Sequence, residues 1–197
     1  MYYIKIYLCM AVALVILGCS NNPTSSKPAD QKNDTTESSL EELAIYQDAI
    51  IALNDGDLGK AEQLFLEMST RQPNLSGPWA NLALIQVKKG NLALADSYVK
   101  NALDKNSTMP QALNLSGYLA QRQGDINQAK SYYLQAITQK SDYALAHYNV
   151  ALIYDVYLQD IEAAISHYQL YLSHIEQKDK ATEDWLENLQ ATMAASN

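Results

Sequence analysis

Gly124-Asp125-Ile126-Asn127-Gln128-Ala129 decides the fold, because the chain writes this stretch more than once. Thirty-four residues earlier stands Gly90-Asn91-Leu92-Ala93-Leu94-Ala95, and thirty-four before that Gly56-Asp57-Leu58-Gly59-Lys60-Ala61. Asp160-Ile161-Glu162-Ala163-Ala164 follows Asp125 by thirty-five residues, one late and without the glycine. A fixed period of this length marks stacked supersecondary units. Each unit reads as a helix, a tight turn at Gly-Asp or Gly-Asn, and a second helix. Glycine supplies the left-handed backbone that ends the first helix, and the Asp or Asn after it is expected to cap the second.

The small and bulky positions follow the same period. Repeat two has Trp79, Leu82-Ala83, Gly90, Ala95, Val99 and Ala102; repeat three has Leu113, Ser116-Gly117, Gly124, Ala129, Tyr133 and Ala136. Repeat one has Ala49, Gly56, Ala61, Phe65, Met68 and Pro73, and repeat four His147, Val150-Ala151, Tyr154, Ala164 and Tyr168. This pattern resembles the tetratricopeptide repeat family over roughly 42–175. The resemblance implies an all-α, right-handed superhelical solenoid of about four helix-turn-helix repeats plus a C-terminal capping helix. The repeats are expected at 42–75, 76–109, 110–142 and 143–177, within a domain of 40–176. Helix A of repeat one is expected to start near Glu42, with Ser39 and Glu42 as a capping box, and helix A of repeat two after Pro78. Ala95 and Ala129 are expected where the two helices of a repeat cross closely. The capping helix and tail take 178–197, with Trp185, Leu186, Leu189 and Met193 on one face and Trp185 read as cap packing.

The chain before the repeats has a different composition. Ile6 to Leu17 is an apolar run behind the single charge of Lys5, too short to span a bilayer comfortably. It ends in Ile16-Leu17-Gly18-Cys19, which resembles a bacterial lipobox. The resemblance implies a signal peptide at 1–18, cleavage before Cys19 and lipid on its thiol, with palmitate among the acyl chains. The other reading is an uncleaved membrane anchor; the polar Pro- and Ser-rich tract directly after Cys19 favours lipidation. Residues 19–39 hold too little apolar surface to fold and read as a flexible tether with a reach on the order of 25 Å. Ser20, and not Asp, after the cysteine implies the outer membrane, facing the periplasm.

Other classes of function find little in the sequence. It lacks His-Glu-x-x-His, Cys-x-x-Cys, a phosphate-binding glycine loop and Gly-x-Ser-x-Gly. The chain therefore reads as neither an enzyme nor the holder of a cofactor, and no small-molecule substrate is expected. His167 and His174 lie two helical turns apart and could share a face, but a metal site needs a third ligand. A net charge of −8, taken to −9 by loss of Lys5, disfavours nucleic acid as a partner and any basic membrane patch.

In the family that the repeats resemble, first helices line a concave face that binds partners. Carried over repeat by repeat, that face holds Tyr46, Ile50 and Leu53, then Asn81, Leu84 and Lys88, then Asn114, Tyr118, Gln121 and Arg122, then Tyr148, Asn149, Leu152 and Asp155. Aromatic and amide groups with few charges suit an extended peptide or a partner helix. The family's carboxylate clamp needs paired Lys, Arg and Asn, and only Asn81 and Asn149 resemble it. Three roles compete: a scaffold for an envelope machine such as a type IV pilus, a secretion system or a TonB-type complex; an adaptor for cell-wall hydrolases or synthases; and, disfavoured by the missing motifs, an enzyme.

Overall fold

The computed structural model describes residues 32–195. The signal peptide, Cys19 and the first part of the tether lie outside the described residues. The chain divides after Arg71 into two compact units.

The first unit is a helical hairpin of α1 (Lys32–Asn54) and α2 (Leu58–Arg71). Gly56, at φ +81°, makes the left-handed turn between them, and Asp57 Oδ1 accepts from the Lys60 amide at 3.0 Å. Phe65 is fully buried and meets the edge of the Tyr46 ring at 5.6 Å. The helix start expected near Glu42 and the tether expected through residue 39 give way to a helix that begins at Lys32. No Gly or Pro interrupts the chain between Pro28 and Gly56. Once α1 is anchored on α2, each added residue extends it at almost no free-energy cost, because nucleation is the expensive step. Glu41, on this extension, pairs with Arg71 at 3.1 Å, an exposed pair of modest value.

The second unit stacks α3 (Ser76–Lys89) on α4 (Leu92–Lys105), α5 (Pro110–Gln123) on α6 (Ile126–Gln139), and α7 (Ala144–Leu152) on α8 (Ile161–His174), with α9 (Lys180–Ala195) against α8. Pro110 opens α5, and Pro78 lies inside the first turn of α3, not before it. Both placements use a position where the missing N–H has no helical acceptor to lose.

The turns repeat their chemistry. Gly90 and Gly124 sit at φ +81° and +88°, and the amides of Asn91 and Asp125 reach back 2.9 Å to the Gln86 and Ala120 carbonyls. Asp125 and Asp160 cap the following helices through Oδ1, each at 3.1 Å. Asn91 does not cap its helix. Its side-chain amide donates to Oε1 of Gln86 at 2.9 Å, which satisfies a polar group only 1% exposed in α3; leaving that oxygen unpaired would cost about 1–3 kcal/mol.

Small residues let each helix pair close. Ala95, Ala129 and Ala164 are wholly buried, as expected of the crossing positions, and Val99, Tyr133 and Tyr168 fill the space one turn later. The crossing at Gly117 is tight: a Cβ there would lie 2.5 Å from Cε1 of Tyr133. Seams between repeats carry the rest of the core. Ala80, Ala102, Met109 and Ala112 join repeats two and three, and Ala120, Ala129, Tyr133, Val150 and Ile153 join three and four.

Repeat four absorbs its extra residue in a π-turn, Ile153–Leu158, that continues α7. Gln159 takes the glycine's place at φ +56°, and its amide donates to the Tyr154 carbonyl five residues back. The wider turn brings Asp160 to the capping position that Asp125 holds one repeat earlier.

Candidate functional site

The last turns of the first helices carry the candidate interaction surface of the second unit. Tyr118 and Arg122 stand one turn apart on α5, half-buried and exposed respectively. Nη1 of Arg122 donates to the Tyr118 hydroxyl at 3.3 Å, and the guanidinium lies over the same ring, 5.9 Å from its centroid. No carboxylate pairs with Arg122 among the described residues. Lys88 occupies the same register thirty-four residues earlier, exposed on α3 and likewise without a carboxylate partner among the described residues. Gln121 turns inward, where its Oε1 accepts from the Tyr133 hydroxyl at 3.0 Å. Burial pushes the Tyr133 phenol far above its ordinary range, and the nearby phenols of Tyr118 and Tyr157 push the same way.

Several residues expected to meet a partner are spent inside the protein. Asn114 is 4% exposed, and its Oδ1 accepts from Nδ2 of Asn149 at 2.9 Å, which ties α5 to α7. Tyr148 is half-buried against Tyr168 and Tyr171, with ring centroids 5.9 and 5.0 Å away. Asp155 accepts through Oδ2 from the Tyr168 hydroxyl at 3.2 Å and from the Trp185 indole N–H at 2.7 Å. The π-turn is the reason: it points this carboxylate at α8 and α9. Trp185 is consequently not buried cap packing. The residue is 47% exposed and held by its indole N–H, Met193 is also exposed, and only Leu189 of the expected face is buried. Asn81 is half-buried on α3 and Tyr46 half-buried in the first unit. Of the fourteen carried-over positions, ten are polar or tyrosine, and among these Lys88, Tyr118 and Arg122 together offer a partner both area and donors.

The link into α9 is a polar hinge. Burial raises the Asp179 carboxyl, but hydrogen bonds from the Thr182 hydroxyl and amide and from Tyr171 outweigh it and hold the group below its usual range. A cavity of about 180 Å³ lies beside this link, lined by Leu172, Ile175, Lys178 and Glu183 among others. Ligand sites usually run to roughly 300–1,000 Å³, so this one is too small for a drug-sized molecule.

Histidine chemistry was only half legible. His167 and His174 do share a face of α8, and His147 of α7 comes to meet both, with ring centroids 5.2 and 5.8 Å away. No linear spacing announces that meeting. It follows from the antiparallel hairpin, where residues equally far from the turn face each other. Among the described residues, no group of three or more His, Cys, Asp or Glu side chains is placed to hold a metal ion.

Comparison with known proteins adds the following. Residues 110–143 match the family model described as Tetratricopeptide repeat. The chain is 32% identical over 106 residues to Photosystem I assembly protein Ycf3 of Cyanophora paradoxa, an alignment covering 49% of this chain and 61% of that one, under two thirds of the relative's length. The solved structure of Pseudomonas aeruginosa pilF superposes with a TM-score of 0.67 at 18% identity, covering 78% of this chain and 69% of that one. The first tetratricopeptide domain of Spaghetti (RPAP3), bound to the HSP90 peptide SRMEEVD, gives a TM-score of 0.54 at 17% identity over 60% of this chain and 95% of its own. These two likenesses are of fold alone. Residues 110–143 are thus a tetratricopeptide repeat, and the same helical hairpin recurs on either side of it.

Proposed function

We propose that this repeat protein is a non-catalytic scaffold for protein interaction, lipid-anchored through Cys19 to the outer membrane and facing the periplasm. There it would serve the assembly or operation of an envelope machine such as a type IV pilus, a secretion system or a TonB-type complex. The observation that carries the interaction reading is the Tyr118–Arg122 pair: a large ring and an unpaired guanidinium displayed together on the middle repeat of the second unit. Tyr gives contact area at low entropic cost, and Arg gives directional donors for a carboxylate or carbonyl. Lys88 adds a second cation in the same register. In a chain of net charge −8, cations at matched positions favour a segment with acceptors. Support comes from a relative that is named an assembly protein and from a neighbour of the same fold that holds an acidic peptide. The lipobox-like Ile16-Leu17-Gly18-Cys19 supports the anchor.

Crosslinking pulldown from detergent-solubilised envelope tests this reading. Tyr118→Ala with Arg122→Ala should cut partner capture at least about tenfold, as for a binding centre worth 1.4 kcal/mol or more, with helical content unchanged. A folded double variant that captures the same partners at the parent's level would remove the surface proposed here.

A further inference from the structure

His147 is buried, 3% exposed, and both of its ring nitrogens are engaged. Nε2 lies 3.0 Å from the carbonyl oxygen of Ser141, and Nδ1 lies 3.0 Å from Nδ1 of His167. A carbonyl oxygen can only accept, so Nε2 of His147 carries a proton. Neutral His147 then has a bare Nδ1, and His167 must donate to it through Nδ1–H. The two contacts fix both tautomers.

Proton uptake by this pair is restricted. A first proton can go to Nε2 of His167, which remains a donor to His147. A second proton has no place but Nδ1 of His147, where two N–H groups would face each other across 3.0 Å. Two like charges at that range in a partly dry contact cost several kcal/mol at an effective dielectric of about 20. Burial opposes the first cation, an effect partly offset by the Tyr154 ring, whose face stacks nearly parallel on His167 at 5.7 Å; the His174 ring lies 5.8 Å from that of His147.

No carboxylate pairs with His147 or His167 among the described residues, and Glu176, two residues past His174, is exposed. Lys130 of α6 lies over the Tyr154 ring, and Lys140 and Asp142 flank Ser141. α5 offers the uncharged Asn114. Asp155 of the π-turn is committed to Tyr168 and Trp185, and Asp179 to Tyr171 and Thr182. Glu162 is exposed on α8; beyond it Lys178 pairs with Glu183 and Lys180 with Asp184, and Glu187 is exposed. None of these acids is paired with an imidazole among the described residues.

We propose that the His147–His167 pair is a proton-operated latch for repeat four, which holds α7 on α8 while neutral and parts them, with α9, when it becomes doubly protonated. Burial, and then the neighbouring His147, hold the His167 imidazole below its ordinary value, in keeping with this. The direction follows: the open form binds protons more tightly than the closed form. The latch is fully closed above about pH 6.5, the ordinary histidine value, and loosens as pH falls below it. Opening becomes up to about tenfold easier per pH unit for each proton taken up. Tyr148 and Asn149 adjoin His147 on α7, so the latch also bears on the Asn149–Asn114 bond to repeat three.

Hydrogen exchange on the full chain at pH 7.5 and 5.5, corrected for intrinsic exchange rates, tests it. Protection in α7, α8 and α9 should fall about tenfold or more relative to α3–α6. His167→Asn keeps an N–H donor near the Nδ1 position and does not titrate, so it should abolish that selective fall. Should that variant fail to fold, ring-proton NMR titration of the parent decides: the His167 imidazole should titrate below the ordinary histidine value. Unchanged protection, a uniform loss across α3–α9, an equal fall in the folded variant, or a His167 imidazole that titrates at or above the ordinary histidine value would each overturn the latch.

Discussion

Gly117→Ala and Gly59→Ala make the same chemical change in two helices, and the structure assigns them opposite signs. At Gly117 the new methyl would sit 2.5 Å from Cε1 and 2.6 Å from Cδ1 of Tyr133. Ordinary contact begins at 3.4 Å, so the helices must separate by nearly 1 Å or the ring must turn. The ring is fully buried and its hydroxyl is held by Gln121, so it has nowhere to go. Overpacking of this kind costs about 1–3 kcal/mol. Replacing a helical glycine returns about 0.5–1 kcal/mol by restricting the unfolded chain. The net loss is about 1–2 kcal/mol, a fall of roughly 3–8 °C in Tm. Gly59 is exposed on α2, and its methyl would meet only Oδ1 of Asp57, at 3.6 Å. That variant loses nothing and gains about 0.5–1 kcal/mol. Thermal unfolding followed by circular dichroism, with urea midpoints as a second measure, reads both. A Gly117→Ala protein as stable as the parent or more so would show that the repeat-three helices do not cross where described, and the reasoning would fail.

Asp155→Ala removes the acceptor shared by Tyr168 and Trp185; it should cost about 1–3 kcal/mol and raise hydrogen exchange in α9 before the rest of the unit. Asp179→Ala removes the N-terminal cap of α9 and should cost about 0.5–2 kcal/mol. Because the folded Asp179 carboxyl is depressed, its contribution is complete above the unfolded value of about 3.9 and is lost as pH falls through the lower folded value, so the stability gap between parent and variant should narrow as pH falls below about 3.9. Gln159→Gly should relieve the left-handed strain of a side-chain-bearing residue and raise stability by up to about 1 kcal/mol; a drop in Tm would place the turn's strain elsewhere. Cys19→Ala should abolish incorporation of a fatty-acid analogue, and absence of label on the parent would end the lipid-anchor proposal.

The sequence by itself determined the repeat. Gly56, Gly90 and Gly124 at a fixed interval, followed by Asp or Asn and then a buried Ala, are local signals. Left-handed backbone and helix capping are properties of a few adjacent residues, so they can be read without knowing what packs on what. The one-residue lag at Asp160 was equally legible, although its absorption in a π-turn was not, since an i+5 turn has no residue signature of its own. Tertiary structure alone decided which polar groups face a partner. Asn114, Asp155 and Tyr148 are carried over to the same face as Tyr118 and Arg122, yet the first three are occupied by Asn149, Trp185 and the Tyr168–Tyr171 pair. The start of α1 escaped notice because helix extension past an anchored segment is nearly neutral in free energy and leaves little mark on composition. The His147–His167 contact lies twenty residues apart in the chain. A hydrogen bond between two helices is specified by the register of their hairpin, a quantity that only the packed Ala151–Ala164 crossing sets.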